Sequence, residues 1–259
     1  MHWIIQNNIF SEQQWNVLLE TVQRFKLPYS EHKVVPFVGE IIPDSIPEGA
    51  NAICIGSYSM RHVAKKKNWF PGVFDIYEQD FEVQKKHWGS HLLNYGAVVS
   101  KFKDVKFNGQ FQFMRPTTDS KTFAGRVFED KEFYDWQEKI CVMEHDYGST
   151  LTPDTLVQVC EPLNIRAEYR FWIVKNKIIT YSLYKRGSKV MYAPEVDQQF
   201  IDYVNQVISI WSPHETFVID VADTEDGIKI VEPNTLNAAG FYAGNIQKLI
   251  FTLDENYTI

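Results

Sequence analysis

"FVIDVADTEDGIKIVEPN", residues 217–234, decides how the chain is read. Two apolar runs flank "TEDG", and Gly227 supplies the left-handed residue that closes a tight hairpin turn. A three-residue turn over Glu225, Asp226 and Gly227 sets Val221 opposite Val231 and Asp220 opposite Glu232. Side chains alternate along a strand, so Glu232 and Asn234 share a face and Asp220 joins them from the facing strand. Two carboxylates in direct opposition repel, and a buried carboxylate is costly without a partner. A divalent cation reverses the sign of that arrangement. Magnesium takes oxygen ligands, often only one or two of them carboxylates, and leaves positions for water and phosphates. The same spacing also suits an Asp220 facing solvent beside a Glu232 that opens a loop. The apolar flanks favour a buried strand pair.

Upstream, "AEYRFWIV" and "IITYSLYKRG" form a second hairpin around Asn176 and Lys177. Alternation puts Glu168 and Arg170 on one face, and a two-residue turn sets Glu168 opposite Lys185. Arg170 and Lys185 then line one sheet as cations suited to phosphate oxygens, with Glu168 orienting one of them. A cross-strand salt bridge on a solvated face is the alternative. "FMRPTTDSKTFAGRVF" places Arg115 at a strand end, ahead of a polar loop with Ser120, Lys121, Thr122 and Gly125. Such a loop can fold over phosphates, although it lacks the spacing of a phosphate-binding P-loop and runs into no helix.

The 259 residues are 44% hydrophobic, enough for a sizeable core. Net charge is −7, against general nucleic-acid coating, and it is uneven. Residues 1–110 hold 12 Lys/Arg and 11 Asp/Glu, whereas residues 111–259 hold 14 and 22. The acidic excess therefore lies in the half of the chain that contains the opening hairpin. Cys54, Cys141 and Cys160 form no C-x-x-C pair, which fits a reducing compartment and a cytoplasmic location. "MHWIIQNNIF" does not read as a signal peptide, and no run of about 20 apolar residues could span a bilayer.

"SEQQWNVLLETVQRF" reads as a helix with Ser11 and Gln14 as a capping box. With the strands "HKVVPFV" and "ANAICIGSY" it makes a small α/β unit, assigned to residues 1–97. From residue 98 the texture is that of an antiparallel-rich α+β body, assigned to residues 98–259. "MRHVAKKKNW" gathers Arg61, His62, Lys65, Lys66 and Lys67 beside Trp69, and "KKH" and "KFKDVK" add cations. These could receive a nucleic acid or another anionic acceptor; a solvated helix face is the plainer account.

In this order the motifs resemble the ATP-grasp superfamily. They run as a strand ending in a cation, a loop with small residues, a hinge strand, E-x-R, a basic strand end, then D…E-x-N. The likeness extends to the compact clade marked by two arginines and a lysine, mostly phage and bacterial proteins, with Arg115, Arg170 and Lys185 at the signature positions. "GSYSMRHVAKKKNWFPGVF", "HWGSHLLNYG" and "EPNTLNAAGFYAGNIQKLI" resemble it as well. The resemblance implies an α+β ATP-grasp fold, a small pre-grasp unit followed by two subdomains that clasp ATP. It implies Asp220, Glu232 and Asn234 as magnesium ligands and Arg115, Arg170 and Lys185 at the phosphates. Lys121 would close the loop, and Gln158, Val159 and Cys160 of "LVQVCEP" would meet adenine through their backbone. Arg115 departs from the lysine of many grasp enzymes, and the phosphate loop is poor in glycine. The implied chemistry is Mg-ATP-dependent joining of a carboxylate to an amine through an acylphosphate. Phosphoryl transfer to a hydroxyl on the same fold, or nucleotide or nucleic-acid binding without turnover, are the alternatives.

Overall fold

The computed structural model describes residues 1–9, 13–35, 39–76, 80–118, 122–142 and 151–259. The N-terminal unit runs β1 (His2–Gln6), α1 (Gln13–Arg24), β2 (Tyr29–Val35), β3 (Glu40–Ile42), β4 (Asn51–Ile55), α2 (Met60–Lys66) and β5 (Phe70–Gly72). Its five strands form one sheet in the order β3-β2-β1-β4-β5, with β1 parallel to β2 and β4. β1 and β4 read as continuous apolar runs because both their faces are covered. α1 turns an apolar face to this sheet, with Leu18 and Val22 fully buried. Ser11, expected to cap it, lies outside the described residues.

α3 (Phe81–Trp88) starts where the Asp80 carboxylate accepts the Glu82 N–H at 2.8 Å, an N-cap. Next come β6 (Val98–Lys101), β7 (Phe111–Pro116), β8 (Arg126–Glu129), α4 (Asp130–Val142) and β9 (Leu156–Cys160). These strands make an antiparallel sheet in the order β6-β9-β7-β8. Phe102, Met114, Phe128, Phe133, Val157 and Val159 pack as its core.

The largest pairings belong to β10 (Ile165–Val174), β11 (Lys177–Arg186), β12 (Lys189–Ala193), β13 (Phe217–Thr224) and β14 (Gly227–Asn234). α5 (Gln198–Ile210) precedes β13, and α6 (Ile246–Tyr257) ends the chain. The sheet order is β12-β11-β10-β13-β14, antiparallel throughout. One face, with Tyr169, Phe171, Ile219 and Ile230, packs on α3 and α5. On the other face Trp172, Val174 and Val218 join Trp3, Leu18, Val22 and Ile53 of the N-terminal unit and Leu249, Ile250 and Leu253 of α6 in one cluster. The edge strands β3, β5 and β12 are too short to give a periodicity signal. Among the described residues, no helix is long and apolar enough to cross a membrane.

Candidate active site

The face of the large sheet that meets the N-terminal unit changes character along its own strands. On β10, Trp172 and Val174 lie in the apolar cluster, whereas Arg170 and Glu168, the next residues on that face, are charged. Both are buried all the same. On β13, Val218 is apolar and Asp220 follows it; its partners across the ladders are Arg170 and Glu232. The charged patch begins where the apolar cover ends.

Bulges bring the side chains together. The last hairpin turns over two residues, Glu225 and Asp226, not three, and pairs Val221 with Ile230 rather than Val231. Gly227 has φ +91° and closes the ladder opposite Thr224. A bulge at Val231 then restores the expected Asp220–Glu232 pair. The extra residue also sends Ile230 into the core while Glu232 turns toward Asp220, which a regular strand would forbid. In the neighbouring hairpin the turn is Lys175–Asn176, one residue earlier than expected, with both residues at positive φ. Two bulges recover the Glu168–Lys185 pair.

Asn234 Nδ2 lies 3.3 Å from Asp220 Oδ2 and 3.2 Å from Glu232 Oε1, so one amide donates toward both acids. Arg170 Nε and Nη2 grip Asp220 at 2.8 and 2.7 Å, and its Nη1 donates to Gly240 O at 3.4 Å. From the small sheet, Arg115 Nη2 reaches Glu232 Oε2 at 2.7 Å. Glu168 accepts from Lys185 Nζ at 2.6 Å and from Tyr184 Oη at 2.7 Å. Burial raises the Asp220 carboxyl, and the Arg170 guanidinium on both its oxygens opposes that. Burial alone would lower Arg170, but the Asp220 charge outweighs it and keeps the guanidinium protonated. Burial, then the charges of Asp220 and Glu168, raise the Tyr184 phenol, which stays a donor.

The structure thus brings Arg115, Glu168, Arg170, Lys185, Asp220, Glu232 and Asn234 into one patch. Lys121 and Ser120 lie outside the described residues. Arg170 is buried, with Asp220 on its Nε and Nη2 and Gly240 O on its Nη1. β9 is central and pairs Gln158 and Val159 with both β6 and β7. Gln158 does face Arg115 across the ladder, and its buried Oε1 has no hydrogen-bond partner among the described residues. Cys160 ends the ladder, and with Glu161, Leu163 and Val98 it lines a cavity of about 630 Å³. Burial, then the charge of Glu161, pushes the Cys160 thiol up to about 11, unsuited to a nucleophile.

The basic stretch of α2 fares differently. Arg61 pairs with Asp75 at 3.7 Å, Lys66 with Glu40 at 3.8 Å and Lys67 with Asp44 at 2.7 Å. Glu40 on β3, with Asp44 and Asp75 from the segments after β3 and β5, thus meets three of the cations that sequence alone assigns to an anionic acceptor. Sequence reading missed Tyr184, Tyr192 and Tyr242. Tyr242 stacks on Tyr184 and Tyr192 at 5.1 and 4.9 Å, with the Arg170 guanidinium 4.7 Å from its ring. The available signal was "RGSKVMYA", a Gly turn followed by a β-prone run.

Two carboxylates are enough for magnesium, and the Asn234 amide, which here turns Nδ2 toward both acids, would have to present Oδ1 to a cation instead. Among the described residues there is no group of three or more His, Cys, Asp and Glu placed to hold a metal ion. Amide and phosphate or water oxygens would therefore have to complete any coordination here.

The fold is shared with solved structures at low identity. A RimK-domain ATP-grasp protein from Sphaerobacter thermophilus superposes with a TM-score of 0.60 at 13% identity, covering 93% of this chain and 92% of its own. The macrocyclase MdnC from Microcystis aeruginosa, bound with precursor peptide MdnA, gives 0.58 at 11% identity, with 99% and 100% covered. D-alanine–D-alanine ligase from Bacillus anthracis complexed with ATP gives 0.56 at 14% identity, with 98% and 96% covered. None of the curated proteins matches the sequence. The model of an ATP-grasp domain family, the third of the clade named for its two arginines and one lysine, matches residues 55–253, so the chain belongs to the ATP-grasp superfamily and to that clade.

Proposed function

We propose that the protein is a Mg-ATP-dependent ligase that joins a carboxylate to an amine through an acylphosphate. The observation that carries this reading is the convergence of the Asp220 and Glu232 carboxylates on the Asn234 amide, flanked by Arg115 and Lys185. Asp220, Glu232 and Asn234 would hold magnesium, which when bound supplies charge neutralisation at the phosphates. The patch holds three acids and three cations, so ligand binding exchanges partners inside an already balanced set. Arg115 and Lys185 can turn from Glu232 and Glu168 to phosphoryl oxygens, while Arg170 keeps Asp220 fixed. The Gln158 amide and the exposed backbone beyond Cys160 are the groups with capacity left for a base.

The work of such a site is positioning and electrostatic stabilisation. A substrate carboxylate oxygen attacks the γ-phosphorus, the bond to the β–γ bridging oxygen breaks and ADP leaves. The amine nitrogen then attacks the acyl carbon, phosphate leaves, and the surplus amine proton passes to solvent.

Calorimetry of ATP binding with and without magnesium tests the site. In Asp220→Ala/Glu232→Ala the Mg-dependent part of binding should vanish. Because Asp220→Ala strands a buried guanidinium, Glu232→Gln serves beside it and should weaken Mg-ATP binding at least tenfold with the fold intact. Unchanged binding in both would remove these residues from the nucleotide site. Release of AMP instead of ADP would overturn the acylphosphate route.

A further inference from the structure

Beside the charged patch, a stack of tyrosine rings leads past β11 to the outer edge of the large sheet. β12 is the last strand there, and no strand pairs its far side among the described residues. Four of its five residues are exposed, among them Val190 at 71%, Met191 at 47% and Tyr192 at 46%. Sheet edges usually carry protection against strand addition, such as charge or proline. Lys189 opens β12 and Pro194 follows it, but three consecutive apolar residues lie between them. Val190 pairs with Lys185 and so shares its face of the sheet. Tyr192 stacks on Tyr242, whose ring abuts Arg170.

Tyr242 is held where it can make this link. It has φ +49°, a strained value for a non-glycine residue. Its loop is pinned to the sheet by Ala243 N to Ser182 Oγ at 3.1 Å and Asn245 N to Thr180 Oγ1 at 2.7 Å. Three tyrosine rings therefore lead from the buried Arg170–Asp220 pair to the open edge. Charge gives that edge a direction. Arg186 and Lys189 flank the turn before β12 and are exposed, whereas Glu195 and Asp197 follow its far end.

We infer that the acceptor is a peptide, docked as an added strand on β12 with apolar residues against Val190 and Tyr192 and its acidic end at Arg186 and Lys189. Main-chain hydrogen bonds to an open edge supply affinity, and alternate side chains supply specificity. Every second side chain of such a segment would lie on the face that carries Lys185 and the tyrosine stack, which brings a side-chain carboxylate toward the phosphoryl site. This inference rests on the ligase reading for what happens to that carboxylate, but not for the docking.

A displayed library of random eight-residue peptides, panned on the full chain saturated with Mg-ADP, tests it. Enriched peptides should alternate apolar residues and carry Asp or Glu at one end. The best of them, made synthetically, should bind Val190→Asp at least tenfold more weakly at saturating Mg-ADP, with the thermal midpoint of the variant unchanged. Met191→Lys, which adds charge to the same edge on the other face, should weaken binding as well. No enrichment, equal binding to both variants, or a wild-type dimer that Val190→Asp splits would each overturn the proposal, the last by assigning the edge to a second copy. Loss of Mg-ADP binding in the wild type would instead strike the nucleotide site, and the peptide result would stand apart from it.

Discussion

Arg170 and Asp220 bury a cation and an anion side by side, with side chains 9% and 3% exposed. Desolvating two charges costs several kcal/mol each, and their attraction offsets that only while both are present. The pair is therefore a poor source of stability and a strong constraint on geometry. Arg170→Met should cost about 3–5 kcal/mol, because it leaves Asp220 buried and unpaired. Arg170→Met/Asp220→Leu should recover most of that loss while abolishing Mg-dependent nucleotide binding. Urea denaturation of the single and double variants checks the first statement, and calorimetry checks the second. A single variant no less stable than wild type would mean that Asp220 is not charged in the fold. The sequence made Arg170 visible as a cation on the right face. It could not say that Asp220 would claim it, since that contact crosses 50 residues and depends on the β10–β13 register.

At the scale of elements, the site depends on strands that break their own regularity. Alternation alone correctly grouped Glu232 with Asn234 and Glu168 with Arg170. It placed both turns one residue off, and three bulges absorb the difference, two on the β10–β11 hairpin and one on β14. Bulges cost local ladder bonds and leave little mark in composition, so a pairing can be foreseen while its path is not. β7 shows a second such dependence. A Cβ at Gly125 would lie 2.9 Å from Arg115 Cβ and 3.0 Å from the Phe113 ring. Gly125 is exposed, so Gly125→Val should change the thermal midpoint little. It must nonetheless push Arg115, which carries the contact between the small sheet and β14. A shift of about 1 Å at a positioning group costs on the order of 10²-fold in rate. ATP turnover by Gly125→Val should fall by about that factor, and wild-type turnover would show that Arg115 has slack to spare.

For the whole molecule, the shared cluster of Trp3, Leu18, Ile53, Trp172, Val218 and Leu249 joins the N-terminal unit to the large sheet and to the last helix. Sequence texture marks a change near residue 98, yet it cannot reveal that residues on both sides of that point complete one core. A perturbation in the N-terminal sheet should accordingly be felt globally. That sheet holds a chain of hydrogen bonds from His2 Nε2 to Ser30 Oγ at 2.7 Å, from Ser30 Oγ to His32 Nε2 at 2.6 Å, and from His32 Nδ1 to Pro43 O at 2.6 Å. Burial lowers both imidazoles from 6.5; His32 and the N-terminal ammonium lower His2 further, while the bond to Pro43 and the charge of Asp44 partly offset the burial of His32. With Nδ1–H of His32 donating to Pro43, Nε2 accepts from Ser30 in the neutral form, and an added proton there faces a hydroxyl already turned toward it. A group whose folded value lies below its unfolded one binds fewer protons in the folded state, so stability is full above pH 6.5 and declines as pH falls below it. Chemical denaturation at pH 7.5 and pH 5.5 should therefore show a lower unfolding free energy at pH 5.5, in one transition followed by both tryptophan fluorescence and far-ultraviolet dichroism. His2→Gln/His32→Gln should flatten that difference between the two pH values. An undiminished decline in the double variant would place the acid sensitivity elsewhere, and two separate transitions would mean that the shared core does not couple the N-terminal sheet to the site.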